Sequence, residues 1–317
     1  MSSKPPLSAT HYVAPLDETP LVAIDKVSVD KKPSNLYIDA WRDMRKRILF
    51  YVAGLGVLLV VIVAAFPTLF TSLDPTDCFL NFSNDPPSDG HPLGFTKQGC
   101  DVYARIVYGT RSSLSVGLIV TAIVTVLGIV IGALAGFYGR WVDAVLSRIG
   151  DIFFAIPYIL AAVVIMSVVP REDRTILVLS LAIGFFAWPS TARVLRGQIL
   201  SVKSSDFVMS ATALGVSRFR TLLRHVLPNS IAPVIVITTI GLGGAIVAEA
   251  TLSFLGIGLP SDVMSWGKDI AQAQFDLRNN PMTLIYPSIA LSVTVLSFIL
   301  MGEVVRDALD PKARARR

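Results

Sequence analysis

The sequence predicts an all-α membrane protein with six transmembrane helices. Three observations carry that expectation. Apolar residues make up 53% of the 317 and charged residues only 16%, against about 25% charged in soluble domains; mean hydropathy is +0.62. The apolar residues fall into six runs near the length that crosses a bilayer. The basic residues gather on alternate sides of those runs.

The runs are, in order, Ile48 to Phe70, Leu114 to Tyr138, Ile152 to Val169, Thr175 to Trp188, Ile231 to Leu259 and Leu284 to Met301. The third is closed by Arg171-Glu172-Asp173-Arg174, and the fourth is short unless its helix continues past Pro189. The first run starts too late for a cleaved signal segment and reads as retained. With both termini inside, 21 of the 28 Lys and Arg lie on the inner side, which orients the chain with cytoplasmic termini. The net charge of +5 therefore reports topology, and nucleic-acid binding is not expected. Five regions follow: a polar cytoplasmic tail (1–40), an anchor and first span (41–70), an extracytoplasmic loop (71–113), a core (114–304) holding a cytoplasmic loop at 203–228, and a cytoplasmic tail (305–317). Trp41 with Arg42, Arg45, Lys46 and Arg47 reads as the interfacial anchor of span one.

The loop between spans four and five has helical periodicity. Phe207, Ala211 and Leu214 recur at i, i+4 and i+7, with Val208 beside them. Gly215 suits a left-handed helix end, and Ser217 suits the cap of a second helix. That helix carries Phe219, Leu222, Leu223 and Val226 as an apolar stripe and meets Pro228, which bars simple continuation. Periodicity alone leaves two readings open: a surface-lying or re-entrant loop, or a docking element.

The same segment resembles the coupling loop of ABC importer permeases, the EAA motif. Its pattern is E-A-A, three residues, G, nine residues, I, one residue, L-P. Here the positions fall at Met209-Ser210-Ala211, Gly215, His225, Leu227 and Pro228. Met209, Ser210 and His225 depart from it. His91-Pro92-Leu93-Gly94, Tyr108-Gly109-Thr110-Arg111, Glu249 to Gly256, Ser265-Trp266-Gly267 and Arg306 to Pro311 resemble the C-type subunit of the dipeptide and oligopeptide (peptide/nickel) permease family. That resemblance implies the type I importer fold, with span one packed outside spans two to six. It implies a homologous B-type permease partner, two ATPase subunits that bind ATP and Mg, and an extracytoplasmic substrate-binding protein. The implied role is non-catalytic: half of a translocation path for peptides in a bacterial plasma membrane. Nickel-complex and glutathione permeases, and an ion-gradient secondary transporter, stay open as alternatives. No G-x-x-x-x-G-K-[ST] loop occurs in the chain.

Four further features have two readings each. Gly128, Gly132 and Gly136 let a helix approach closely, within the subunit or across a dimer. Glu249, inside span five, lines the path or packs helices. Glu303 and Arg306 are spaced to pair on one helix face, or to meet the ATPase. Cys78 and Cys100 are the chain's two cysteines and share one outer loop, where a disulfide is expected; the other reading is two unpaired thiols.

Overall fold

The computed structural model describes residues 36–260 and 262–309. The expected tail up to residue 35 and the residues from 310 onward lie outside the described residues.

Helix α1 (Leu36–Met44) is followed after a short turn by α2 (Ile48–Ala65). Trp41 meets Phe50 edge-on at 5.6 Å, and the Arg45 guanidinium lies 5.8 Å above the Trp41 ring. Arg47 donates to Asp43 (3.3 Å) and to Asp307 (2.5 Å), and the Asp307 carboxylate holds its guanidinium above the ordinary range. Arg47 thus ties α1 to the C-terminal helix, whereas no ion pair joins Glu303 to Arg306 among the described residues. Pro67 ends α2, because the residue before a proline is pushed out of helical geometry; Phe66 sits at φ −130°, ψ 61°.

The segment 66–101 folds as a compact loop. A disulfide joins Cys78 to Cys100, and Gly94 and Gly99 take positive φ. A side chain at Gly99 would strike the Phe79 carbonyl. The loop ends on Asp101, whose carboxylate accepts from Ala104 N (2.6 Å) and meets His91 Nδ1 at 2.8 Å. This cap starts α3 (Val102–Tyr138), twelve residues ahead of the expected Leu114. Hydropathy marks where a helix is apolar, whereas the capping carboxylate marks where it begins. At 37 residues α3 is roughly 55 Å long, well beyond the roughly 30 Å hydrocarbon core.

The third apolar run is not one straight helix. It divides between α4 (Arg140–Ala155) and α5 (Tyr158–Val168), bent by 74° at Ile156-Pro157. Proline removes a hydrogen bond and clashes with the preceding turn. The fourth run continues past its proline: α6 (Ile176–Ala187) bends 44° into α7 (Pro189–Val202). Then come α8 (Asp206–Ala213), α9 (Arg218–Thr221), a π-helical turn over Leu222–Val226, α10 (Leu227–Ser230), α11 (Ala232–Phe254), α12 (Trp266–Ala273) and α13 (Met282–Leu309). Helices α2, α3, α11 and α13 are long and apolar enough to cross a membrane, and with each bent pair taken as one span the count reaches six by length and composition. No strand occurs among the described residues.

Helix α3 is the central mast, packed against α7, α11, α6, α2 and α4. Its small residues set the α7 contact. A Cβ on Gly128 would lie 2.5 Å from Thr191 Cγ2, one on Gly132 would lie 2.5 Å from the Ala192 carbonyl oxygen, and one on Gly136 would meet Arg196 and Ile199 at 3.0 Å. The glycine seam thus faces a helix of the same chain. Helix α2 packs on α13 and α3, at the edge of the bundle.

Two predictions follow from this packing. Gly132→Val drives a branched side chain into α7 backbone and should cost at least about 1–3 kcal/mol, read as a lowered thermal midpoint in detergent; an unchanged midpoint contradicts the seam. Alkylation of the native, unreduced protein should leave both cysteines unmodified by intact mass. The bridge spans 22 positions, and its reduction should cost about 3 kcal/mol by the chain-entropy account.

Candidate functional site

The loop at 205–228 is a folded element with an inner and an outer apolar face. Its inner face is Val208 and Ala211 from α8 with Leu222 and Val226 from the π turn, all buried. Val208, Leu222 and Val226 pack with Leu195 and Ile199 of α7 and Ala133 of α3. The outer face holds Phe207, Met209, Leu214, Phe219 and Leu223, between 45% and 84% exposed. This divides the expected stripes differently: Phe207 and Leu214 point away from Ala211, and Phe219 and Leu223 away from Leu222. An eight-residue helix pressed against a bundle has one edge covered, and periodicity alone does not say which.

Gly215 ends α8 at φ +80°. Gly215 N donates to Thr212 O (3.0 Å) and Val216 N to Ala211 O (3.1 Å), the paired bonds of a Schellman turn. No heavy atom lies within 4 Å of a Cβ added there, so glycine is needed for its backbone and not for space. The second helix does continue through Pro228, contrary to expectation. The π turn makes this possible: Leu227 N donates to Leu222 O, five residues back, and Pro228 then falls in the first turn of α10, where a missing N–H costs little. Ser210 is exposed; His225 and Leu227 are partly buried. The His225 carbonyl accepts from Asn229 Nδ2 at 2.6 Å.

At the opposite end of the bundle the motif residues form a buried polar knot. Glu249 is fully buried in α11. Ser253 Oγ donates to it at 2.8 Å and Ser113 Oγ at 3.0 Å, and Ser265 bonds it too. Trp266 closes the knot: its indole donates to Ile106 O (3.0 Å). A Cβ on Gly267 would land on the Ala250 backbone. Nearby, Arg105 of α3 holds Asp269 of α12 through Nε (2.8 Å) and Nη2 onto one carboxylate oxygen. Burial pushes the Asp269 carboxyl above its ordinary range, and the Arg105 guanidinium pulls it back. Asn84 of the disulfide loop bonds Asp276, and Asn280 Nδ2 bonds Phe95 O. Sequence reasoning missed the Arg105–Asp269 pair and the three serines around Glu249.

A family model described as binding-protein-dependent transport system inner membrane component matches residues 128–315. The chain belongs to this family. Curated members agree over nearly the whole length. The dipeptide transport system permease protein of Alkalihalophilus pseudofirmus is 34% identical, covering 87% of this chain and 90% of that one. The glutathione transport system permease protein of Pectobacterium atrosepticum is 34% identical (90% and 94%). The oligopeptide transport system permease protein of Bacillus subtilis is 32% identical (92% and 94%). Among solved structures, a chain of the MetNI methionine ABC transporter in an inward-facing conformation superposes with a TM-score of 0.55 at 17% identity, over 65% of this chain and 96% of that one. That likeness extends the type I importer fold to this permease. The match begins at Gly128, so the family model takes in the seam, the folded loop and the polar knot's Glu249 together.

The buried ion pair gives a test. Arg105→Ala leaves Asp269 buried without its partner and should cost about 3–5 kcal/mol. The carboxyl's folded-state pKa already lies above its ordinary value and rises further without Arg105. The loss is therefore full above the variant's pKa and shrinks as pH falls through it toward the lower, still raised pKa of the paired carboxyl. Thermal midpoints of the variant across pH 4–8 check it; a loss that grows with acid contradicts the assignment.

Proposed function

We propose that this chain is the C-type permease subunit of an ATP-driven peptide importer. It pairs with a homologous B-type permease, and its loop at 205–228 seats on a separate ATPase subunit. The observation that carries the proposal is the outer face of that loop. Five large apolar side chains stand exposed on an element whose shape is fixed by a Schellman turn and whose other face is fused to α7. A rigid apolar knob of this kind transmits displacement, because packed helices move as bodies. The basic-residue distribution supports a cytoplasmic location for the loop and both termini. It equally supports an extracytoplasmic one for the disulfide loop, where a binding protein delivers cargo.

Peptide cargo is supported by the names of the relatives, two of which transport dipeptides and oligopeptides. Glutathione is the second reading, favoured by a relative of equal identity. ATP and Mg belong to the ATPase partners.

Met209 stands where the family's loop carries an acidic residue, so its contact is apolar and adaptable. Gly215→Val imposes a backbone cost of about 1–2 kcal/mol at a positive φ in open space. It should abolish copurification of the ATPase or substrate-stimulated ATP hydrolysis while membrane insertion survives. Met209→Lys should impair coupling more than Met209→Glu. Normal stimulated hydrolysis in Gly215→Val rules out this coupling role. Mass spectrometry of proteins and small molecules copurified with the tagged chain identifies the partners and separates peptide from glutathione.

A further inference from the structure

The hydroxyls within the membrane-crossing helices mostly serve their own backbone. Ser180, Thr238, Thr239, Thr251, Ser288, Thr294 and Ser297 each donate to the carbonyl four residues back, at 2.7–2.8 Å. That is how a hydroxyl is satisfied where water is scarce. Thr121 departs from this habit. Its Oγ1 is buried and is the one such hydroxyl without a partner among the described residues. It borders a cavity of about 240 Å³ walled by α3, α5, α6, α7 and α11.

Three further observations meet at this cavity. Tyr158 and Ser190 line it, and each directly follows a proline that breaks its helix, Pro157 and Pro189. Interrupted helices inside a membrane are tolerated where they border a cavity, and transporters place them around the substrate. Gly241 and Gly244 of α11 also line it, and a Cβ at either would meet nothing within 4 Å. These two glycines relieve no packing, unlike the α3 seam; they leave room. Finally, no Asp, Glu, Lys, Arg or His among the described residues lines the cavity. Its volume is below the roughly 300–1,000 Å³ of a pocket that encloses a drug-sized ligand, as suits one wall of a shared path.

We infer that this cavity is the chain's segment of the translocation path, and that it receives the uncharged amide backbone of a peptide through Thr121, Tyr158 and Ser190. The inference rests on the importer reading above and assigns its path. Hydroxyls both donate and accept, so they match amide N–H and C=O groups in any sequence order. A wall without charge attracts neither terminus of the peptide, so side-chain selectivity belongs elsewhere in the assembly.

The two native cysteines are bonded to each other, so introduced thiols report alone. Thr121→Cys and Gly244→Cys are compared with Leu55→Cys on the outer face of α2, a position 67% exposed. The native complex is labelled in membranes with a charged, water-soluble methanethiosulfonate, nucleotide-free and with a non-hydrolysed ATP analogue. Both cavity positions should react at least tenfold faster than Leu55→Cys in one of the two states. Thr121→Val breaks no hydrogen bond of the chain; it should leave the thermal midpoint unchanged and lower uptake of labelled alanyl-phenylalanine several-fold. Uptake by the unsubstituted complex with both cavity thiols as inert as Leu55→Cys overturns the path assignment alone. No uptake of any labelled peptide by the unsubstituted complex overturns the cargo assignment here and the peptide reading together.

Discussion

The close approach of α3 and α7 is the contact on which the remaining architecture depends. In a membrane, apolar side chains gain little by leaving lipid for one another, so helices associate where their surfaces fit. Gly128, Gly132 and Gly136 remove three side chains from one face of the mast, and α7 backbone fills the groove. That seating fixes Leu195 and Ile199, and these two residues form the floor on which Val208, Leu222 and Val226 rest. The loop is thereby joined to the centre of the bundle through continuous packing. The packing runs unbroken from the loop's inner face through Leu195 and Ile199 to Ala133 of α3.

The opposite end is held by a different kind of force. There the chain must bury groups that lipid does not tolerate, and it does so by giving each a partner. Glu249 has three serine hydroxyls, Asp269 has Arg105, and Asp276 has asparagine amides. Burying a charge is costly, and removing its partner leaves that cost uncompensated. They tie α3, α11, α12 and the disulfide loop into one cap. One end of the molecule is therefore organised by shape and the other by hydrogen bonding.

Much of this was legible in the sequence, for reasons that can be named. The six apolar runs follow from bilayer thickness, and the positive φ of Gly215 from the residue itself. Broken helices were less visible. Pro157 sits inside an apolar run, and hydropathy does not register a 74° bend. The early start of α3 was hidden because its first turns carry Arg105 and Arg111, which read as loop. The exposed half of the 205–228 element could not be deduced, because the covering surface belongs to α3 and α7 and becomes adjacent only on folding. The Arg105–Asp269 pair lies 164 positions apart, a separation at which no local pattern operates.

The π turn before Pro228 has a consequence for sequence change. A π turn holds one more residue than the α-helical turn it replaces, so the stretch from Leu222 to Val226 carries a surplus of one. Losing a single residue there would remove the surplus and place Pro228 inside a regular helix, where its ring meets the carbonyl four residues back. The extra residue is taken up within the one turn, so the turn admits the proline without redirecting Phe219 and Leu223. This short stretch is therefore where one residue of chain length decides whether a proline can be carried in the middle of the element.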